Sequence, residues 1–161
     1  MQAPLDDDVL ARVLPGSWTI AATNFPMWLN GERQSPRFSY ELVSENPLVL
    51  SDVVSFVTAE GEEKHIAGQD TLVRDEFRRR GKRVQRFLVS RWMVSGVSDD
   101  GAIAVIHFSQ SLAMPSGIDI VVREGAEVPE VRATIARATE EFGLSPEEFG
   151  SLTWLETAAK R

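Results

Sequence analysis

The chain has 161 residues, 43% of them hydrophobic, which suits one domain that buries its own core. Its net charge of -7 argues against a general nucleic-acid or anionic-membrane surface, since both need a basic face. The absence of cysteine excludes a disulfide framework, a thiol nucleophile and a thiolate metal ligand.

The start, Met1 to Asp8, lacks the basic and apolar regions of a secretory signal, and no apolar run approaches membrane-spanning length. A cytoplasmic protein without stable membrane insertion is expected. Behind Asp6, Asp7 and Asp8, which meet the positive end of a helix dipole, Val9, Leu10, Val13 and Leu14 recur at helical spacing. Residues 1–15 therefore read as an N-terminal helical segment ended by Pro15-Gly16. From there the dominant signal is alternation, with strands predicted over 17–24, 37–43, 48–58, 64–73, 76–79, 84–97, 102–109 and 117–123. Asn46-Pro47, Glu60-Gly61 and Ser98-Asp99-Asp100-Gly101 supply turns between them. Short links favour an antiparallel meander, and eight strands with an apolar face each are best satisfied by closing on themselves. The predicted fold is thus mainly β: an eight-stranded antiparallel up-and-down β-barrel over residues 16–123.

The period then changes. Val128, Val131, Ile135, Ala138 and Phe142 fall at steps of three and four, with Pro129 in the first turn and Gly143 at the C-cap, so the pattern predicts an amphipathic C-terminal α-helix over 128–143. Leu152-Thr153-Trp154-Leu155 suits an extra strand over 151–156, outside the barrel edge. No repeat or low-complexity tract divides the chain, and residues 1–161 read as a single domain.

Three local motifs accompany this order of elements. Gly16-Ser17-Trp18 gives G-x-W at the first strand, Ser98-Asp99-Asp100-Gly101 lies at the sixth-to-seventh turn, and Arg123 ends the eighth strand. Together they resemble the three signature regions of the lipocalins, with Gly101 where the second motif carries a tyrosine. The C-terminal plan, from Val122-Arg123 through the helix to Gly143-Leu144-Ser145-Pro146-Glu147-Glu148-Phe149 and Leu152 to Leu155, is similar to that of bacterial lipocalins. Intracellular fatty-acid-binding proteins, which share G-x-W, instead place two helices straight after the first strand. The resemblance spans nearly the whole chain. It implies binding or transport of a small hydrophobic ligand, such as a fatty acid or lysolipid, in the barrel cavity, with no cofactor. It also implies structural roles for Trp18 as a plug of the closed end, Arg123 as its cation-π partner and Gly16 as a point of close passage.

On that orientation Phe25-Pro26-Met27-Trp28-Leu29 lies over the open end, as a lid or as a small core on its own wall. Phe25, Met27 and Trp28 are ligand-binding candidates there. Phe38, Tyr40, Phe56, Phe87 and Trp92 are candidates for the inward face, which is either filled by side chains or holds one small ligand. Ala21, Ala22, Ala67, Gly68, Ser90, Ser95 and Gly96 favour unfilled space. His65 and His107 are expected as wall residues able to meet a polar head group rather than a metal. Asp52, Asp70 and Asp119 are expected to face outward; an inward one would favour a cationic or hydroxylated ligand. Arg78-Arg79-Arg80, Lys82 and Arg83 read as a solvated hairpin tip, with anionic head groups as the alternative. Two rival functions stay open: a barrel enzyme of isomerase or hydratase type using Tyr40 or a histidine with an inward carboxylate, and a filled barrel acting as an interaction module. The oligomeric state, monomer or dimer, is also open.

Overall fold

The computed structural model describes residues 5–81, 89–111 and 115–155. The chain opens with α1 (Asp7–Val13), whose first turn carries Asp7 and Asp8 and whose last carries Arg12, each sign matching its end of the dipole. Leu10 and Leu14 are its buried side chains on the barrel below. Eight strands follow: β1 (Gly16–Thr23), β2 (Arg33–Glu45), β3 (Leu48–Thr58), β4 (Glu63–Val73), β5 (Glu76–Gly81), β6 (Val89–Val97), β7 (Ile103–Phe108) and β8 (Gly117–Arg123). A single 3-10 turn, Pro26–Trp28, sits between β1 and β2.

Each strand pairs antiparallel with the next, β8 pairs with β1, and β1 pairs with β2, which closes the barrel. The β1-β2 seam is short, Gly16–Thr19 against Arg37–Tyr40, whereas β2 and β3 pair along almost their full lengths. Along upper β1 the place of β2 is taken by β9 (Thr153–Trp154), which pairs with Ala22 and Thr23 outside the barrel.

Alternation sorts the apolar residues into two cores. Trp18, Ile20, Phe38, Tyr40, Leu50, Phe77, Trp92, Val94, Ile106 and Val121 belong to the interior cluster. Ile103, Val105, Ile118 and Ile120 point outward and meet Ile135, Phe142 and Leu144 of the C-terminal segment. β7 and β8 are therefore buried on both faces and read as almost unbroken apolar runs.

Two boundaries differ from the sequence reading. β2 begins at Arg33, ahead of residue 37, because Pro36 and Ser35, with φ of 49°, interrupt the alternation and shift the register between Gln34 and Arg37 without ending the strand. The helix expected over 128–143 is much shorter: α2 spans Val131–Ala136, and the chain then continues in turns to Gly143. Glu140 and Glu141 place negative charge where a longer helix would have its negative end, and the Phe142 carbonyl is claimed instead by the Ser95 hydroxyl at 2.7 Å. Apolar residues at helical spacing still dock on the wall, but through a turn sequence followed by α3 (Pro146–Gly150). The first part of the predicted strand over 84–97 lies outside the described residues up to residue 88, as do Lys82 and Arg83 of the basic run.

Candidate functional site

One end of the barrel is sealed from its own sequence. Gly16 has a φ of +124°, and a Cβ there would stand 2.6 Å from the Arg123 guanidinium, so only glycine lets the chain pass under that side chain. Arg123 lies over the Trp18 ring with its guanidinium carbon 4.3 Å from the centroid. The same guanidinium donates to the carbonyls of Val13, Pro15 and Gly101, tying α1 and the β6-β7 turn to the base. The Trp18 indole N-H donates to Leu14 O at 2.9 Å. All these groups are engaged in closure, which leaves the interior above them as the place for chemistry.

That interior is aromatic. The Trp92 ring stacks on Phe77 at 4.3 Å and on Tyr40 at 5.6 Å, and Phe108 stands 6.4 Å from both Trp92 and Phe38. Three carboxyl groups, of Asp52, Asp70 and Asp119, are buried among these rings. Their outward placement expected from residue type is corrected: Asp52 shares its strand face with Leu50 and Phe56, Asp70 with Leu72, and Asp119 with Val121, and these apolar residues belong to the interior cluster.

Each carboxyl has a different environment. Asp52 is matched by Arg79, whose Nε and Nη2 donate to its oxygens at 2.8 to 2.9 Å, with a further bond from Nη2 to Ile66 O at 3.2 Å. Gly68 makes room for this pair, since a Cβ there would lie 2.8 Å from the guanidinium. Arg79 is therefore not part of a solvated tip; Arg78 and Arg80, on the other face of β5, are exposed. Asp70 accepts the Trp92 indole N-H at 2.8 Å on Oδ1, while Oδ2 has no partner. Burial first, then Asp52 beside it, pushes the Asp70 carboxyl up to about 9, so it is neutral at physiological pH. Burial and then the charges of Asp70 and Asp52 also raise the Tyr40 phenol well above its ordinary range.

Asp119 sits nearer the open end, opposite Thr23 on β1. The Phe25 backbone N-H donates to Thr23 Oγ1 at 3.0 Å, and Thr23 Oγ1 donates to Asp119 Oδ1 at 2.6 Å. The Trp28 indole N-H turns toward the same carboxyl without closing a hydrogen bond, so Trp28 Nε1 and Asp119 Oδ2 are both left without a partner. Burial pushes Asp119 up to about 7. Above it Phe25 and Trp28 are buried and their rings reach Phe108 and Phe56, at 5.4 and 6.1 Å. An open cleft of about 520 Å³ beside this mouth is lined by Arg33, Phe56, His65 and Ile66 among others.

No protein-family model matches the sequence, and neither does any curated protein. Solved structures do. The tryptamine complex of the amine-binding protein of Rhodnius prolixus shares 12% identity over 96% of this chain and 84% of that one, with a TM-score of 0.64. The siderocalin Ex-FABP shares 14% over 89% and 94%, with a TM-score of 0.60. The bovine lipocalin allergen Bos d 2 shares 12% over 93% and 94%, with a TM-score of 0.55. The fold is that of the lipocalins.

Within this barrel of lipocalin fold the residues singled out in the sequence fall into three groups. Phe25, Trp28, Phe38, Tyr40, Phe56 and Trp92 are buried in the interior cluster, and Met27 packs against it half-buried, its sulfur 3.8 Å from Arg33. Phe87 lies outside the described residues. The histidines do not face the interior. His65 alternates with inward Ile66, stands largely exposed on the outer wall against Ser55 and Glu63, and reaches only the rim cleft. His107 alternates with inward Ile106 and Phe108 and lies beneath α3, its Nδ1 3.8 Å from Glu148, where burial lowers its pKa. Residue type suggested a polar wall position; strand parity decides which side of the wall. The residues missed are Phe77, Phe108 and the carboxyl set with Arg79. Their signal was present in the alternation, since each shares its face with the apolar members of its strand.

Proposed function

We propose that the barrel binds a small, largely apolar molecule through its open mouth, as a lipocalin-type carrier, rather than serving as a filled interaction module. The observation that carries this reading is the pair of buried carboxyls, Asp70 and Asp119, each with an oxygen that no described group satisfies. A barrel filled only for stability would be better served by apolar side chains, because buried unpaired polar groups cost free energy that packing alone does not return. Polar groups held in an aromatic chamber instead have the composition of a binding site, mostly apolar with a few placed hydrogen-bonding atoms. Solved proteins of this shape described as amine-binding, or as having dual ligand specificities, support small-molecule binding.

The polar lining shifts the expected ligand away from a free fatty acid. Arg79 is the inward cation among the described residues and is already engaged by Asp52, so an acyl carboxylate would meet Asp70 and Asp119 without a counter-charge. An enzymatic role for Tyr40 with an inward carboxylate lacks a free base, since the phenol and its neighbour Asp70 hold their protons at neutral pH and Asp52 is engaged by Arg79. Titration with the neutral fluorophore N-phenyl-1-naphthylamine tests the reading. Saturable enhancement at one probe per chain is expected, with quenching of tryptophan emission through Trp28 and Trp92; a non-saturating response would remove the carrier.

A further inference from the structure

We propose that the upper inner wall is a cation site at which Asp119 receives the protonated amino group of a small apolar amine, a proposal that rests on reading the barrel as a small-molecule binder. Asp119 is 1% exposed and faces inward, and its carboxyl is fixed rather than free: the Phe25 N-H holds Thr23 Oγ1, and Thr23 Oγ1 holds Oδ1. That chain of bonds leaves Oδ2 as the remaining acceptor, buried and without a partner.

What is missing at Asp119 is charge. Asp52, on the opposite wall, meets a guanidinium through three hydrogen bonds. No cationic side chain among the described residues pairs with Asp119; the groups that act on it are the Thr23 hydroxyl and the Trp28 indole N-H, both neutral donors. An ionised carboxylate in that position has hydrogen bonds but no counter-ion, and a ligand ammonium supplies one. The surroundings suit the rest of such a molecule. Gly117, on the same face of β8, lets the Phe25 ring pack directly against the backbone beside Asp119, and Phe108 meets that ring edge to face. Aromatic faces around an ammonium add cation-π attraction. A ligand hydroxyl can accept the Trp28 N-H and reach Oδ2 but leaves the charge unbalanced, and an anion is repelled by an ionised Asp119 and finds no counter-charge at Asp70.

Calorimetric titration of the whole protein with 4-phenylbutylamine, 4-phenylbutanol and 4-phenylbutyrate separates these chemistries. At about pH 8 the amine is expected to bind at least roughly tenfold more tightly than the alcohol, and the carboxylate more weakly than either. Asp119→Asn should remove the amine's advantage, bringing amine and alcohol to within about twofold of each other. In the unsubstituted protein, titrations at about pH 6.5 in buffers of different ionisation enthalpy should show the amine releasing a proton from Asp119 and the alcohol releasing none. That readout decides the matter even if the asparagine variant does not fold. Equal affinity of amine and alcohol, an amine preference that survives Asp119→Asn, or amine binding without proton release overturns the cation site and leaves the carrier standing. Failure of all three probes to bind overturns both.

Discussion

Arg79 and Asp52 illustrate how a charged pair inside a barrel commits the residues around it. Removing only the cation strands a buried carboxylate, so Arg79→Met is expected to cost about 3 to 5 kcal/mol in urea denaturation. Adding Asp52→Leu to that variant should recover most of the loss, since an apolar pair of similar volume removes the stranded charge. At the base, Arg123→Ala loses a cation-π contact and unties three backbone carbonyls, for an expected cost of about 2 to 4 kcal/mol by the same measurement. These two arginines were unequally visible. Arg123 ends a strand just before a change of period and completes a pattern begun at Gly16 and Trp18. Arg79 stood inside a basic run, where composition pointed to solvent, and only the parity of β5 placed it opposite its two neighbours. The aspartates were obscured in the same way, because a carboxylate's usual preference for water outweighed the strand face on which each one sits.

The strands were legible because alternation with β-branched and aromatic residues leaves few other outcomes, and the turns between them carry their own chemistry. The C-terminal segment was less so. Helical spacing survives in α2 and the turns after it because the same side chains must reach the wall, but spacing alone does not reveal that the Phe142 carbonyl is taken by Ser95. α3 is held by a complete capping box, with Ser145 Oγ accepting from the Glu148 N-H at 3.1 Å and the Glu148 carboxylate accepting from the Ser145 N-H at 2.9 Å. Ser145→Ala should therefore cost about 1 kcal/mol in thermal unfolding and speed amide exchange at Glu148. Because burial is the main cause that holds the His107 pKa down, loosening α3 should raise it toward its ordinary value by admitting water, against the smaller loss of the Glu148 charge, which a histidine proton titration by NMR would follow.

For the molecule as a whole, the carboxyls inside the barrel set an acid-leaning stability. The Asp119 carboxyl has an ordinary pKa of 3.8 that rises to about 7 in the fold, so the folded state binds that proton more tightly. Its contribution is complete below the lower value, falls as pH rises between the two, and is gone above the higher one, amounting to up to about 4 kcal/mol. Asp70 extends the same trend upward, toward about 9. Melting temperatures of the ligand-free protein should decline from about pH 5 to about pH 9, and Asp119→Asn should flatten the lower part of that decline.

The wall itself is not uniform around its circumference. Above Thr19 the first and second strands part, and a cleft of about 580 Å³ runs between them. Such a gap would ordinarily offer two raw margins to a neighbouring chain. Here one margin is already taken by Thr153 and Trp154, and the other carries Pro36, which has no amide hydrogen, flanked by the kink at Ser35 and by Arg33 and Arg37. The protein can thus keep a slit in its side without presenting a template on which a foreign strand could knit.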